Sequence, residues 1–274
     1  MPKLKLLQLS LGVGGKPLAF APHIWKTILD LRLLKVDYEV EFVVSAQLET
    51  ELPKRFGLEK VTIPTLIVQE DDGTEQVIVD SFDIAVYLES AFSTPETSIF
   101  SPAGNSSSDN VAMGRSYARF VEHWVNIDFA NAIRPALLAP SFALFPTEGP
   151  AHDPASRARF ESKVGPHRMQ ELARLTKDPT WCEDIYTKAR RELSVVEDML
   201  RDRGRLSVEG AFLAGKKPTH ADFALFAFYA YSLTNPDLVR NVWRHQDLPY
   251  INKWLDAILR SRLILQDDLL PYDP

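Results

Sequence analysis

Apolar and polar residues interchange over short runs in the first third of the chain and then recur at helical spacing to its end. Leu4 to Ser10 reads as a short buried strand, and Tyr38 to Val44 as a second strand in which apolar side chains return at alternate positions. Between them Pro22 stands near a first helical position, and Ile24, Ile28 and Leu31 share one face, which predicts a helix from Pro22. Leu48 to Phe56 predicts a short helix interrupted by Pro53. From Lys60 to Val68 an apolar strand is entered through Pro64. A polar turn at Glu70 to Thr74 leads into a second strand from Gln76, and Phe82 to Ala91 then reads as a helix. Asp80-Ser81 opens that helix, with Ser81 as its expected cap.

A strand, helix and strand joined in this way should be parallel, and the hairpin that follows is antiparallel. The order βαβαββα is the thioredoxin-like α/β arrangement, expected over residues 1–92. Residues 93–110 change to Ser, Thr, Pro, Gly and Asn and read as a linker, and residues 111–274 predict an all-α domain. Its helices are expected at Val111 to Ile133, ending before Pro135, and then, beyond a Pro-rich loop from Pro140 to Pro154, at Arg157 to Leu175 and Tyr186 to Arg203. Thr219-His220-Ala221-Asp222 forms a capping box before the apolar run Phe223 to Tyr231, and Leu248 to Leu259 closes the helical series.

Composition narrows the function classes. A net charge of -6 without a basic run argues against nucleic acid as the main partner. No stretch is apolar enough to span a bilayer, the amino terminus lacks the unbroken apolar region of a signal peptide, and one cysteine, Cys182, permits no internal disulfide. A cytoplasmic protein without a metal is the expectation. Gly12, Gly14 and Gly15 lack the spacing of a nucleotide-binding loop.

Candidate chemistry gathers between Lys60 and Tyr87. An Ile63-Pro64 bond can be cis, which leaves backbone groups free to face a ligand. Ser81 at a helix start offers N–H groups to a carboxylate, and Asp80 beside it attracts an amine. Together they suit a small zwitterionic peptide.

These motifs, with Phe212-Leu213-Ala214-Gly215 running into the capping box, resemble the glutathione transferases over nearly the whole chain. Phe20-Ala21-Pro22-His23-Ile24-Trp25-Lys26-Thr27 looks most like their fungal etherase-related class, in which a Ser-Pro precedes Trp-Lys-Thr. The resemblance implies glutathione as co-substrate, held by Lys60, Thr62, Ile63, Pro64, Asp80 and Ser81, and it implies a homodimer. It also implies a serine that activates the thiol, but the matching position is Ala21. Since the thiolate is the nucleophile, a missing hydroxyl should slow conjugation unless His23 or Ser10 donates instead. The hydrophobic partner, an aromatic or phenolic molecule, is expected between the domains against Phe20, Tyr117, Phe120, His123, Trp124 and Phe129. Trp25 and Lys26 read as core and surface on the first helix, and Asp222 as structural. Two functions follow from the resemblance: a transferase acting on aromatic electrophiles or aryl ethers, or a non-catalytic ligandin that binds polyphenols.

Overall fold

A computed structural model of the chain describes residues 2–10, 21–94, 96–101, 108–149, 151–205 and 210–271. Phe20 and the glycines at 12, 14 and 15 lie outside the described residues.

Strands β1 (Lys3–Leu9), β2 (Glu39–Val43), β3 (Thr65–Gln69) and β4 (Glu75–Val79) form one sheet in the order β2-β1-β3-β4. β1 and β2 are parallel, as a helical crossover requires, and the β3–β4 hairpin is antiparallel. The pleat sorts the side chains. Leu4 and Leu6 of β1 join Leu66 and Val68 of β3 beneath helices α1 (Pro22–Leu34) and α3 (Ser81–Phe92). On the opposite face Leu7, Val43 and Ile67 meet Leu48, just ahead of the short helix α2 (Glu51–Phe56), and Leu52 within it. The thioredoxin-like order is therefore present, with a helical domain behind it.

That helical domain departs from expectation at its prolines. α4 (Ser108–Trp124) passes through a wide π turn at Val125–Phe129 into α5 (Ala130–Ala143), so the helix does not stop before Pro135 but carries both Pro135 and Pro140. A proline removes one helical hydrogen bond, and apolar burial of Ile133, Ala136 and Leu137 outweighs that loss here. The expected single helix at Arg157 to Leu175 is split at Gly165, whose φ of 90° no L-residue adopts readily, into α6 (Pro154–Val164) and α7 (Pro166–Leu175). α8 (Pro179–Arg205) runs longer than its periodicity suggested.

α9 (His220–Ser232) is apolar almost all round and is buried almost all round. Its capping box forms as read: Asp222 Oδ2 accepts the Thr219 N–H at 2.8 Å, while Oδ1 accepts from Leu213 N–H at 2.7 Å and Trp254 Nε1–H at 2.9 Å. α9 is the spine on which the first domain rests. Trp25 of α1 meets Phe226 edge to face at 5.8 Å, and a short turn, α10 (Pro236–Leu238), and α11 (Pro249–Arg260) close the other side with Trp243 and Trp254.

Candidate functional site

The start of α1 has no side-chain cap. Ala21 occupies the N-cap with no side-chain hydrogen bond, and Pro22 follows, so the N–H groups of His23 and Ile24 have no intrahelical acceptor. Ile63-Pro64 is cis and leads into β3. Thr62 is engaged through its carbonyl, which accepts the Thr65 hydroxyl at 2.6 Å, and Lys60 is exposed.

At the start of α3 the roles of the acid and the serine are exchanged. Asp80, not Ser81, is the cap: its Oδ1 accepts the Phe82 N–H at 2.9 Å. Asp80 does this from a φ of 89°, a region that costs a side-chain-bearing residue about 1–3 kcal/mol and that tends to cluster at ligand sites. Ser81 is buried one position further on, and its hydroxyl donates to Glu122 Oε1 of α4 at 3.1 Å.

Glu122 leads to the main surprise. Lys26, expected on the surface, is fully buried, and its ammonium donates to Glu122 Oε1 at 2.8 Å and Asn126 Oδ1 at 3.0 Å, with His23 Nδ1 at 3.1 Å. One ion pair thus joins α1 of the first domain to α4 of the second. Burial lowers the Lys26 ammonium from its ordinary range. Burial also raises a carboxyl, yet the charges of Lys26 and His220 outweigh it and hold Glu122 below its ordinary value. His23 is pushed down to about 3 by burial and then by Lys26, and it is neutral at physiological pH. Behind the pair, buried His220 and Asp30 meet at 2.8 Å, and His220 Nε2 lies 4.0 Å from Glu122 Oε1. Burial lowers the His220 imidazole, but Asp30 reverses the sign and the net shift is upward.

The aromatic wall expected from α4 does not assemble. Phe129 is wholly buried against Trp243 and stacks on Trp124 at 6.0 Å, because the π turn carries it into the core. Tyr117 turns toward Met199, with its hydroxyl 3.3 Å from the sulfur, and Phe120 and His123 are exposed. The aromatic surface beside Ala21 comes instead from the region read as a Pro-rich loop. Phe145 packs with Phe142, Phe160 and Tyr231 as well as with Ala21 and Leu9. α6 then reaches back to the first domain. Buried Ser156 Oγ accepts the Ala46 N–H at 3.0 Å, and Arg159 holds Ser45 Oγ at 2.6 Å and Glu49 at 2.8 Å.

Sequence reasoning missed Lys26, Glu122, Asn126 and the His220–Asp30 pair. The three-residue step from His23 to Lys26 was the available signal.

Comparisons with known proteins agree with this architecture. Residues 20–91 match the family model of the glutathione S-transferase N-terminal domain and residues 170–257 that of the C-terminal domain. No curated protein sequence matches. Among solved structures the chain is similar to a glutathione S-transferase of Ceriporiopsis subvermispora in complex with glutathione, at 16% identity and TM-score 0.68, covering 98% of this chain and 99% of that one. It is also similar to the glutathione transferase GSTFuA3 of Phanerochaete chrysosporium, at 18% identity and TM-score 0.64, over 99% of both chains. A Tau class enzyme of mango, Mangifera indica, aligns at 17% identity and TM-score 0.60, covering 98% of this chain and 93% of that chain. Both domain models fall in order on the two halves of this fold, and the chain belongs to the glutathione S-transferase superfamily.

Proposed function

We propose that the protein binds glutathione between β3, the start of α3 and the start of α1, and transfers it to aromatic electrophiles or to the carbon of an aryl ether. In the transfer a carbon–sulfur bond forms as a carbon–halogen or carbon–oxygen bond breaks. The leaving group departs as halide or phenolate, and the thiol proton goes to water. Lys60 and the backbone at Thr62 to Pro64 hold the glycine and cysteinyl parts, and Asp80 and Ser81 hold the γ-glutamyl end. The observation that carries this reading is the N-terminus of α1 that Ala21 leaves without a side-chain cap, where His23 is neutral and aromatic side chains flank Ala21. The N–H groups at the positive helix end favour a thiolate, and His23 is the side-chain donor taken here in preference to Ser10.

A second reading is supported by Ala21 itself. Without a hydroxyl, and packed against Phe145 and Tyr231, this end of the cleft suits a ligandin that holds polyphenols. The same proposal takes residues 1–92 and 111–274 as the domains with a linker at 93–110, in a cytoplasmic homodimer. Exposed Met113, Phe120 and Ile127, at 73%, 70% and 47%, support an apolar contact between copies along α4.

The test is conjugation of glutathione to a reactive aromatic chloride, with glutathione binding measured by calorimetry, for wild type and Ala21→Ser. Binding with slow turnover that the serine accelerates supports a transferase lacking its hydroxyl. Dye displacement by phenolics without any glutathione binding supports the ligandin and overturns the transferase.

A further inference from the structure

The buried ammonium of Lys26 has three hydrogens, and three acceptors surround it: His23 Nδ1 at 3.1 Å, Glu122 Oε1 at 2.8 Å and Asn126 Oδ1 at 3.0 Å. An ammonium has no lone pair, so His23 Nδ1 can only accept, and the imidazole proton must sit on Nε2. The charged groups facing His23 are Lys26 on its own helix, Glu122 on α4 and Arg134 on α5, with Phe228 of α9 placed edge-on at 6.3 Å. Two of those three are cations, so a second proton on the ring would be repelled.

We propose that Lys26 is a positioning residue that fixes His23 as its neutral Nε2–H tautomer, so that His23 donates a hydrogen bond to the glutathione sulfur where Ala21 offers none. This rests on the glutathione reading given above. No proton passes through His23. The thiol proton leaves to water, and the Nε2–H stabilises the charge that remains on sulfur. Glu122 completes the arrangement, because the oxygen that holds Lys26 also accepts from Ser81. The thiol end and the γ-glutamyl end of the site are then set by one buried pair across the domain boundary.

The experiment uses full-length protein with 15N-labelled histidine, as wild type and as Lys26→Met/Glu122→Gln. The double variant keeps an acceptor for Ser81 and leaves no buried charge unpaired, so that it folds. Imidazole 15N shifts are followed over roughly pH 5 to 8, the range of ordinary histidine titration. The pKa of the bound thiol is read from thiolate absorbance. Wild type should show His23 as Nε2–H without titration. The variant should show mixed Nδ1–H and Nε2–H tautomers, with the ring still held neutral by burial, and a bound-thiol pKa raised by about one unit, a roughly tenfold loss of thiolate at neutral pH. An Nδ1–H or titrating His23 in wild type overturns the proposal, as does a variant that keeps the single tautomer or an unmoved thiol pKa. If wild type binds no glutathione in calorimetry, the glutathione reading fails and the proposal with it. If binding persists and only the tautomer or thiol result is absent, the proposal alone fails.

Discussion

Replacing Lys26 with Met tests the buried pair at its cation. The side chain is fully buried, and its removal leaves the Glu122 carboxylate, 4% exposed, with the Ser81 hydroxyl as its one close hydrogen-bond donor among the described residues and with Arg119 and His220 only at 3.8 and 4.0 Å. An uncompensated buried charge typically costs about 3–5 kcal/mol. Glu122 can escape part of that cost by binding a proton, and the sign follows from its change of range. In wild type its pKa is depressed, so its stabilisation is present above the unfolded value and is lost as pH falls. In Lys26→Met the carboxyl rises above the unfolded value of about 4.3, so the deficit is largest at neutral pH and shrinks as pH falls toward that value.

Adding Glu122→Gln removes the orphaned charge while keeping an acceptor for Ser81. The double variant should recover most of the loss, with a coupling energy of about 2 kcal/mol or more between the two positions. Urea unfolding followed by tryptophan fluorescence and far-ultraviolet circular dichroism measures each variant, with the slope checked for constancy. A Lys26→Met protein within about 1 kcal/mol of wild type at neutral pH would refute the reasoning. So would a double variant no more stable than the single.

Other positions give independent expectations. Asp222→Ala leaves the Trp254 Nε1–H and the Leu213 N–H buried without their acceptor, each worth about 1–3 kcal/mol, and thermal unfolding should show a loss of at least about 3 kcal/mol. Gly114→Ala places a Cβ 1.7 Å from the Phe100 carbonyl oxygen, so backbone must shift, and a midpoint drop of about 2 kcal/mol or more in urea is expected. Asp80→Asn keeps a cap that tolerates positive φ and removes the charge offered to the glutathione amine, so calorimetry should show roughly tenfold weaker binding with stability changed by less than about 1 kcal/mol. His23 binds no proton in the fold until about pH 3, whereas the unfolded chain takes one near 6.5. Stability should therefore rise with pH between those values, by at most about 1.4 kcal/mol per unit from this group, and His23→Gln should flatten that slope in acid titrations of unfolding.

Much of this fold was legible because its signals are local. The capping box at Thr219 to Asp222, the Ile63-Pro64 step, the strand at Tyr38 to Val44 and the helix start at Asp80-Ser81 act within a few residues and appear where they were read, although the cap of that last helix is Asp80 and not Ser81. Two readings failed for want of tertiary context. Pro135 and Pro140 are helix breakers in isolation, but the buried face of α5 holds the helix through them. Phe129 stands five residues past Trp124, a step that a regular helix would carry off the face of Tyr117, Phe120 and Trp124, whereas the π turn at Val125–Phe129 stacks it on Trp124 within the core. Lys26 reads as surface because a lone cation on a helix is usually solvated, and its partners lie 96 and 100 residues away.

Partner distance also explains why this site is built across two domains. A lysine buried on α1 without Glu122 would be intolerable, and Glu122 without Lys26 equally so, which makes correct docking of α4 on α1 a condition for either charge to be stable. Docking then fixes three things together. It sets the Ser81 hydroxyl at the head of α3, the His23 ring at the head of α1, and the buried pair of His220 on the spine helix with Asp30 of α1 behind them. A wholly apolar junction would hold the domains at least as well, since burying ions yields little net stability. What it could not do is dictate which nitrogen of His23 carries the proton. The ion pair is therefore better explained by the orientation it imposes on the site than by the stability it adds to the fold.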